Sequence, residues 1–364
     1  MITTTQSVLT RFLLTTVMLV LIVSTFPSWL LARPPAMIYA PLGAANKIAE
    51  IDPKSLTVTR LIGPLDNPHG LAVTPDGKTL FAGSVAERVA DGAKPESRPE
   101  GVSEEDHAAH HGGEKAAPQA PPRSYSFIAR VDVASGKVTH RIDVEKFTHH
   151  VAVTPDGRWV IGVQSGAGRI VVVDSRTNQV NRYVNVGAAP NYALVSRDGN
   201  RVYVSSAGDN SITVLDGKSW ARIANIPVGK NPEHMVFSPD QKRLYVVNVN
   251  SAELSIVDLV SQKEIQRSKT GTQPHGVAFL ADSNTVITAN TGGESLSIFD
   301  QNGREQQLVP RGPKPYHTEF IPEQGQLWVS SRQTGELWLV SQNDMTVKKT
   351  LTLPGTAHQL VYTE

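Results

Sequence analysis

The sequence predicts an all-β protein, a seven-bladed β-propeller with four antiparallel strands per blade, its ring closed by the C-terminal strand joining the N-terminal blade. Three observations carry this: a regular spacing of strand-closing aspartates, four short strand patterns within each repeat, and unmatched strands at the two ends of the chain.

The spacing comes first, because a missed repeat misassigns the fold. Short apolar strands close on Asp132 (FIARVD), Asp174 (RIVVVD), Asp216 (SITVLD), Asp258 (ELSIVD) and Asp300 (SLSIFD), each 42 residues after the last. Asp52 (KIAEID) precedes Asp132 by 80 residues, one period plus an insertion of 38. A further copy, GELWLVS, puts Ser341 where the aspartate would fall. These carboxylates sit where a turn begins, and Asp there is expected to accept turn amides and hold the repeat's corners.

Within one unit the four strands read HMVFSPD, RLYVVNV, ELSIVDL and EIQRSKT, with turn residues between them and no helical periodicity. The expected propeller, residues 37–364, opens with three strands, MIYAPLG, KIAEID and SLTVTRLIG, that lack an innermost partner. It ends with HQLVYTE, an innermost strand with nothing after it. Pairing the two ends makes seven blades and removes two open sheet edges.

The flanking and inserted segments read differently. Residues 1–32 carry one Arg and an apolar run from Phe12 to Val23, then Pro27. This is expected to be an export signal, or a signal anchor if it is not cut, placing the rest in the periplasm or otherwise outside the cytoplasm. Residues 85–124 are rich in Pro, Gly, Ala and charge, and are expected to form a disordered loop within the second blade. That loop carries His107, His110 and His111 beside Glu104, Glu105 and Asp106. The pattern suits loose capture of a divalent metal, or simply a solvated linker.

Composition narrows the chemistry. Thirty-five basic against 34 acidic side chains give no charge excess for nucleic acid or an acidic membrane, so membrane contact is expected only through an uncleaved N-terminus. The absence of cysteine excludes disulfides, thiolate ligands, covalently attached c-type haem and a cysteine nucleophile. Any metal must rest on His, Asp or Glu.

Histidine is the residue that recurs without a folding reason. Just ahead of each innermost strand stand His69 (NPHG), His149 and His150 (FTHH), Asn191 (APNY), His234 (NPEH), His275 (QPHG), His317 (KPYH) and His358 (TAHQ). The up-and-down order of strands puts these positions on one face, around one mouth of the central channel, and the insertion on the same face. Each histidine alone reads as a repeated strand-start residue bonded to a backbone carbonyl. Six blades of seven together point to a metal or cofactor site.

Register limits how many can converge. His69, His149, His275 and His358 share one aligned position, while His150, His234 and His317 fall one residue later. Neighbouring residues of a regular strand face opposite ways. Blade order favours His69, His149, His317 and His358, from consecutive blades, with Glu319 two residues beyond His317 as a carboxylate. Such a set suits Zn(II) or Cu(II). His150, His234, His275, His107, His110 and His111 are secondary candidates.

The motifs HGLAVTPDGKTLFA, HVAVTPDGRWVIG, YALVSRDGNRVYVSS, HMVFSPDQKRLYVVN and GVAFLADSNTVITAN resemble the YVTN-repeat propellers over nearly the whole expected propeller. These are related in fold to the haem d1 domain of cytochrome cd1 nitrite reductase and to the propeller of nitrous oxide reductase. The resemblance implies the propeller fold and leaves function open, because propellers host unrelated activities.

Three function classes follow. The first is a metal-binding propeller, acting for instance as a metallochaperone toward an exported metal-binding or transporter-associated protein. The second is a cofactor-dependent, oxidoreductase-related propeller of the haem d1 type, with a ring histidine as axial ligand or proton donor. The third is an interaction scaffold without metal. A lactonase-like hydrolase ranks below these, since no G-x-S-x-G occurs. Whether the protein is an enzyme stays open at this level.

Overall fold

The computed structural model describes residues 35–89, 124–280 and 284–363. The expected signal segment and His107, His110 and His111 lie outside the described residues. Those described form seven antiparallel sheets arranged as propeller blades.

Blade five shows how the sequence becomes a blade. Pro232–Phe237, Arg243–Asn248, Glu253–Asp258 and Lys263–Lys269 pair in sequential order. The second and third strands are nearly continuous in apolar residues and buried on both faces, because neighbouring blades cover both sides. The fourth strand, KEIQRSK, is mostly exposed and forms the outer edge. Charged residues protect that edge from pairing with another chain.

The ring closes as the end-pairing predicts. Val361–Tyr362 pairs antiparallel with Ile38–Leu42, matching Ile38 with Tyr362 and Tyr39 with Val361. The backbone N–H of Thr363 donates to the carbonyl of Met37 at 2.9 Å, and the N–H of Met37 donates to Thr363 Oγ1 at 2.8 Å. Blade two carries an extra pair of residues: Arg88–Val89 joins Ser124–Asp132 where the insertion leaves and returns. Residues 85–89 are therefore seated on the blade.

The strand-closing aspartates hold corners. Asp132 Oδ1 accepts from the N–H and Oγ of Ser135, and Asp216 Oδ1 accepts from the N–H groups of Lys218 and Ser219. These bonds favour the ionised form and lower the carboxyl pKa at both positions. In blade seven Ser341 takes the position, its Oγ accepting from Asn343 N–H at 3.4 Å.

The innermost strands share a departure from regular geometry that places the histidines. In five blades the residue before the entering proline has positive φ: Asn67 (40°), Ala189 (45°), Asn231 (56°), Gln273 (52°) and Lys314 (42°). Non-glycine residues adopt this conformation at a cost, and a following proline disfavours helical backbone further, so the turn is held by its surroundings. One clamp recurs: the carbonyls of Ala189, Asn231, Gln273 and Lys314 accept the N–H of Ala207, Val249, Thr291 and Arg332 at 2.9–3.0 Å.

A register shift follows the proline in each of these blades, between Pro68 and Leu71, Pro190 and Ala193, Pro232 and Met235, Pro274 and Gly276, and Pro315 and Thr318. Except in blade six, two residues there oppose a single residue on the second strand. In blade three, His149 and His150 bracket Val163 in the same way, the His149 N–H donating to the Val163 carbonyl and the Val163 N–H to that of His150. A bulge of this kind re-aims its side chains, so adjacent residues need not face opposite ways.

Two glycines at the register shifts let the ring close tightly. A Cβ on Gly70 would lie 2.5 Å from His150 Cα and 2.7 Å from the His149 carbonyl oxygen; one on Gly276 would lie 2.6 Å from the Tyr316 carbonyl oxygen. Gly70→Ala is expected to cost about 1–3 kcal/mol, read as a lowered urea midpoint with an unchanged slope. An unchanged midpoint would show that neighbouring bulges give way freely.

Candidate functional site at the channel mouth

The bulges bring two circles of side chains to the central axis. The first bulge residue contributes His69, His149, Asn191, Glu233, His275, Tyr316 and His358; the second contributes His150, Tyr192, His234, His317 and Gln359, with glycine in the remaining two blades. The resulting cluster joins imidazoles across the axis as well as around it. Ring centroids of His69 and His358 are 3.4 Å apart, those of His69 and His149 4.1 Å, and those of His150 and His234 4.9 Å.

Four of these histidines form a group with metal-ligand geometry. One ring nitrogen from each of His69, His149, His150 and His358 lies within 4.8 Å of the others. His150 is buried, whereas the other three residues retain partial exposure, so the group lies close to the surface. Two of its nitrogens, His69 Nε2 and His358 Nδ1, are buried with no hydrogen-bond partner. Such atoms are costly to leave unsatisfied, and an ion would satisfy both.

Neighbours set how the rings present themselves. Gln359 Oε1 accepts the N–H of Leu71 at 2.8 Å and lies 3.3 Å from His150 Nδ1. An amide oxygen only accepts, so His150 carries its proton on Nδ1 and offers the Nε2 lone pair. That Nε2 is 3.3 Å from His234 Nε2, placing His234 at the border of the group. His358 Nε2 lies 2.9 Å from the hydroxyl of Tyr316, which accepts from Arg332 at 2.7 Å. The chain Arg332–Tyr316–His358 orients the imidazole through Nε2 and leaves Nδ1 without a hydrogen bond, as outer partners of metal-bound histidines do.

Burial keeps the imidazoles neutral. It is the largest cause holding His69, His150, His234, His275 and His358 well below the ordinary histidine pKa; repulsion from neighbouring histidines adds to it, and Arg332 adds at His69 and His275. His317 is lowered to about 3 by burial alone. A neutral imidazole has a free lone pair, so these side chains stand ready to ligate at neutral pH.

The converging group differs from the expected one at two positions. His317 is at the mouth, but its Nδ1 accepts the Leu360 N–H at 3.2 Å and its ring faces His234, with centroids 5.0 Å apart. His150 takes its place because the bulge turns both His149 and His150 inward, where a regular strand would send one away. Glu319 pairs opposite Trp328 within the innermost strand of blade seven and is not in the group. It is partly buried, and burial raises its pKa to about 8.

Of the secondary candidates, His275 pairs with Glu233, Nε2 to Oε2 at 3.2 Å, and stacks on Tyr316 at 3.6 Å. Tyr192 fills the gap left by Asn191, its ring 4.5 Å from that of His234. Tyr192, Glu233, Tyr316, Gln359 and Arg332 were not anticipated from the sequence. All but Arg332 occupy the two positions already aligned for the histidines, so reading both aligned residues in every blade would have found them.

The sequence profile of the YNCE-like β-propeller family matches residues 125–345, well over half of the chain. The chain belongs to the YNCE-like β-propeller family. No curated protein sequence matches it.

Among solved structures this family member is similar to the periplasmic gluconolactonase PpgL of Pseudomonas aeruginosa, with 15% identity over 90% of this chain and 99% of that chain and a TM-score of 0.65. The hydrazine synthase of Kuenenia stuttgartiensis aligns at 19% identity over 78% of this chain and 79% of that one, with a TM-score of 0.60. The dihydro-heme d1 dehydrogenase NirN, solved in complex with DHE, aligns at 15% identity over 88% of this chain and 64% of that one, with a TM-score of 0.62. At these identities the likeness is one of fold, and it includes the haem d1 type of propeller expected from the repeat motifs.

Proposed function

We propose that this propeller binds a divalent transition metal, zinc or copper, at the mouth of its channel, and that it does so as an exported protein. The observation that carries this reading is the convergence of ring nitrogens from His69, His149, His150 and His358, two of them buried and unpartnered. Imidazole donors suit Zn(II) and Cu(II), and a group preformed by the fold needs little rearrangement to take an ion. Export rests on the apolar N-terminal run, and the periplasmic location of one structural neighbour fits it.

The packing favours an ion over a tetrapyrrole within the cluster. Rings with centroids 3.4–4.9 Å apart leave no gap between them for a planar macrocycle, so a haem would have to rest above the mouth. Calorimetric titration of the metal-free protein with Zn(II) and with Cu(II) is expected to show about one tight equivalent. Saturation by haem alone would favour the cofactor reading, and no uptake of any of them would leave an interaction scaffold.

A further inference from the structure

We propose that the metal site is open toward the mouth and takes a small anion there, a carboxylate or an inorganic oxyanion, gripped by Arg332. The inference rests on the metal reading above and adds the class of molecule that completes the site.

Charge is the first argument. The four converging donors are all imidazoles and no carboxylate belongs to the group, so a divalent ion held by them keeps its full charge in a largely desolvated setting. Uncompensated charge of this kind is costly, and an anionic ligand offsets it. Three of the four histidines are partly exposed, so the group borders solvent-facing side chains at the mouth.

Arg332 supplies the second. It is exposed, immediately follows the second strand of blade seven, and lies on the face where the histidines sit. One guanidinium nitrogen donates to Tyr316, whose hydroxyl bonds His358, and the guanidinium lies 4.7 Å from the Tyr316 ring centre. It is close enough to His69 and His275 for its charge to act on both. Among the described residues no carboxylate lies within ion-pair distance of it, so N–H groups beyond the one given to Tyr316 can hold an oxyanion in the fork geometry that suits carboxylate.

The rim adds a third. Lys314 and Lys230 are exposed on the turns leading into the innermost strands of blades seven and five, and neither forms an ion pair among the described residues. Two of the described acidic residues on the same face are engaged, Asp66 with Arg88 and Asp209 with the Ala188 N–H at 2.8 Å. Exposed cations beside Arg332 on this face favour the approach of an anion.

The test loads the full chain with Cu(II), measures copper content, and titrates sodium azide while following the azide-to-copper charge-transfer band, with acetate as competitor. Wild type should bind azide. At copper saturation, confirmed by copper content, Arg332→Gln should bind azide about tenfold or more weakly even where its copper affinity also falls with the loss of the Tyr316–His358 brace, with Arg332→Lys between the two. Copper-loaded protein without an azide band, or an Arg332→Gln variant with wild-type azide affinity, would overturn the inference while leaving the metal reading intact. Failure to take up copper or zinc at all would overturn both.

Discussion

Metal-free protein taken from pH 7 to pH 5.5 is expected to lose most of its stability, and to do so far more steeply than carboxylate titration explains. Six histidines, His69, His150, His234, His275, His317 and His358, are held neutral in the fold by burial. In the unfolded chain each takes up a proton near its ordinary pKa of about 6.5. Below that pH the unfolded state binds more protons than the folded one, so stability is complete above about pH 6.5 and falls as pH drops toward the folded-state values. At pH 5.5 each group costs about 1.4 kcal/mol, and the six together at most about 8 kcal/mol, comparable to the whole stability of an ordinary domain.

Tryptophan fluorescence against pH measures this, and the slope of stability with pH gives the proton count directly. A slope of several protons between pH 6.5 and 5 is the expected result; a flat profile to pH 4 would contradict the buried, neutral cluster. Bound metal competes with protons for the same lone pairs, so saturating zinc should move the acid midpoint to lower pH.

The second large effect separates the group seen in the structure from the one the sequence suggests. Alanine at His69, His149, His150 or His358 should each weaken zinc or copper binding about 100-fold or more, and His69→Ala with His358→Ala together should abolish tight binding. His317→Ala should leave affinity within a few-fold, since its Nδ1 is spent on the Leu360 N–H. Competition against a chelator of known affinity reads both. The reverse pattern, metal kept without His150 and lost without His317, would move the site to the other side of the ring.

Much of the fold was legible because a propeller repeats itself. The even spacing of the strand-closing aspartates set the blade boundaries, and the unmatched strands at each end required the closure seen between Ile38–Leu42 and Val361–Tyr362. The histidine circle was legible too, as an excess of one residue type at one aligned position. What pattern reading could not supply was the bulge, because a one-residue shift in pairing is made by backbone hydrogen bonds, and the proline before it in five blades is equally at home at the start of a regular strand. Assuming a regular strand, His149 and His150 must face apart. With the bulge they converge, and His317 gives way to His150.

The supporting residues were hidden for a related reason. Tyr316 and Gln359 stand beside histidines and draw no notice as sequence, yet one braces His358 and the other fixes the proton of His150. Their roles depend on contacts between blades far apart in the chain. Gln359 accepts from Leu71, 288 residues away.

The central claim, a metal held by four channel-mouth histidines, is tested most directly by elemental analysis of untagged protein from an exporting cell, beside the His69→Ala/His358→Ala variant. Near-stoichiometric zinc or copper in the wild type, absent from the folded variant, is the predicted result. A wild type that is metal-free as isolated and takes up neither added zinc nor added copper would contradict it, and would reduce the ring to shared repeat ancestry.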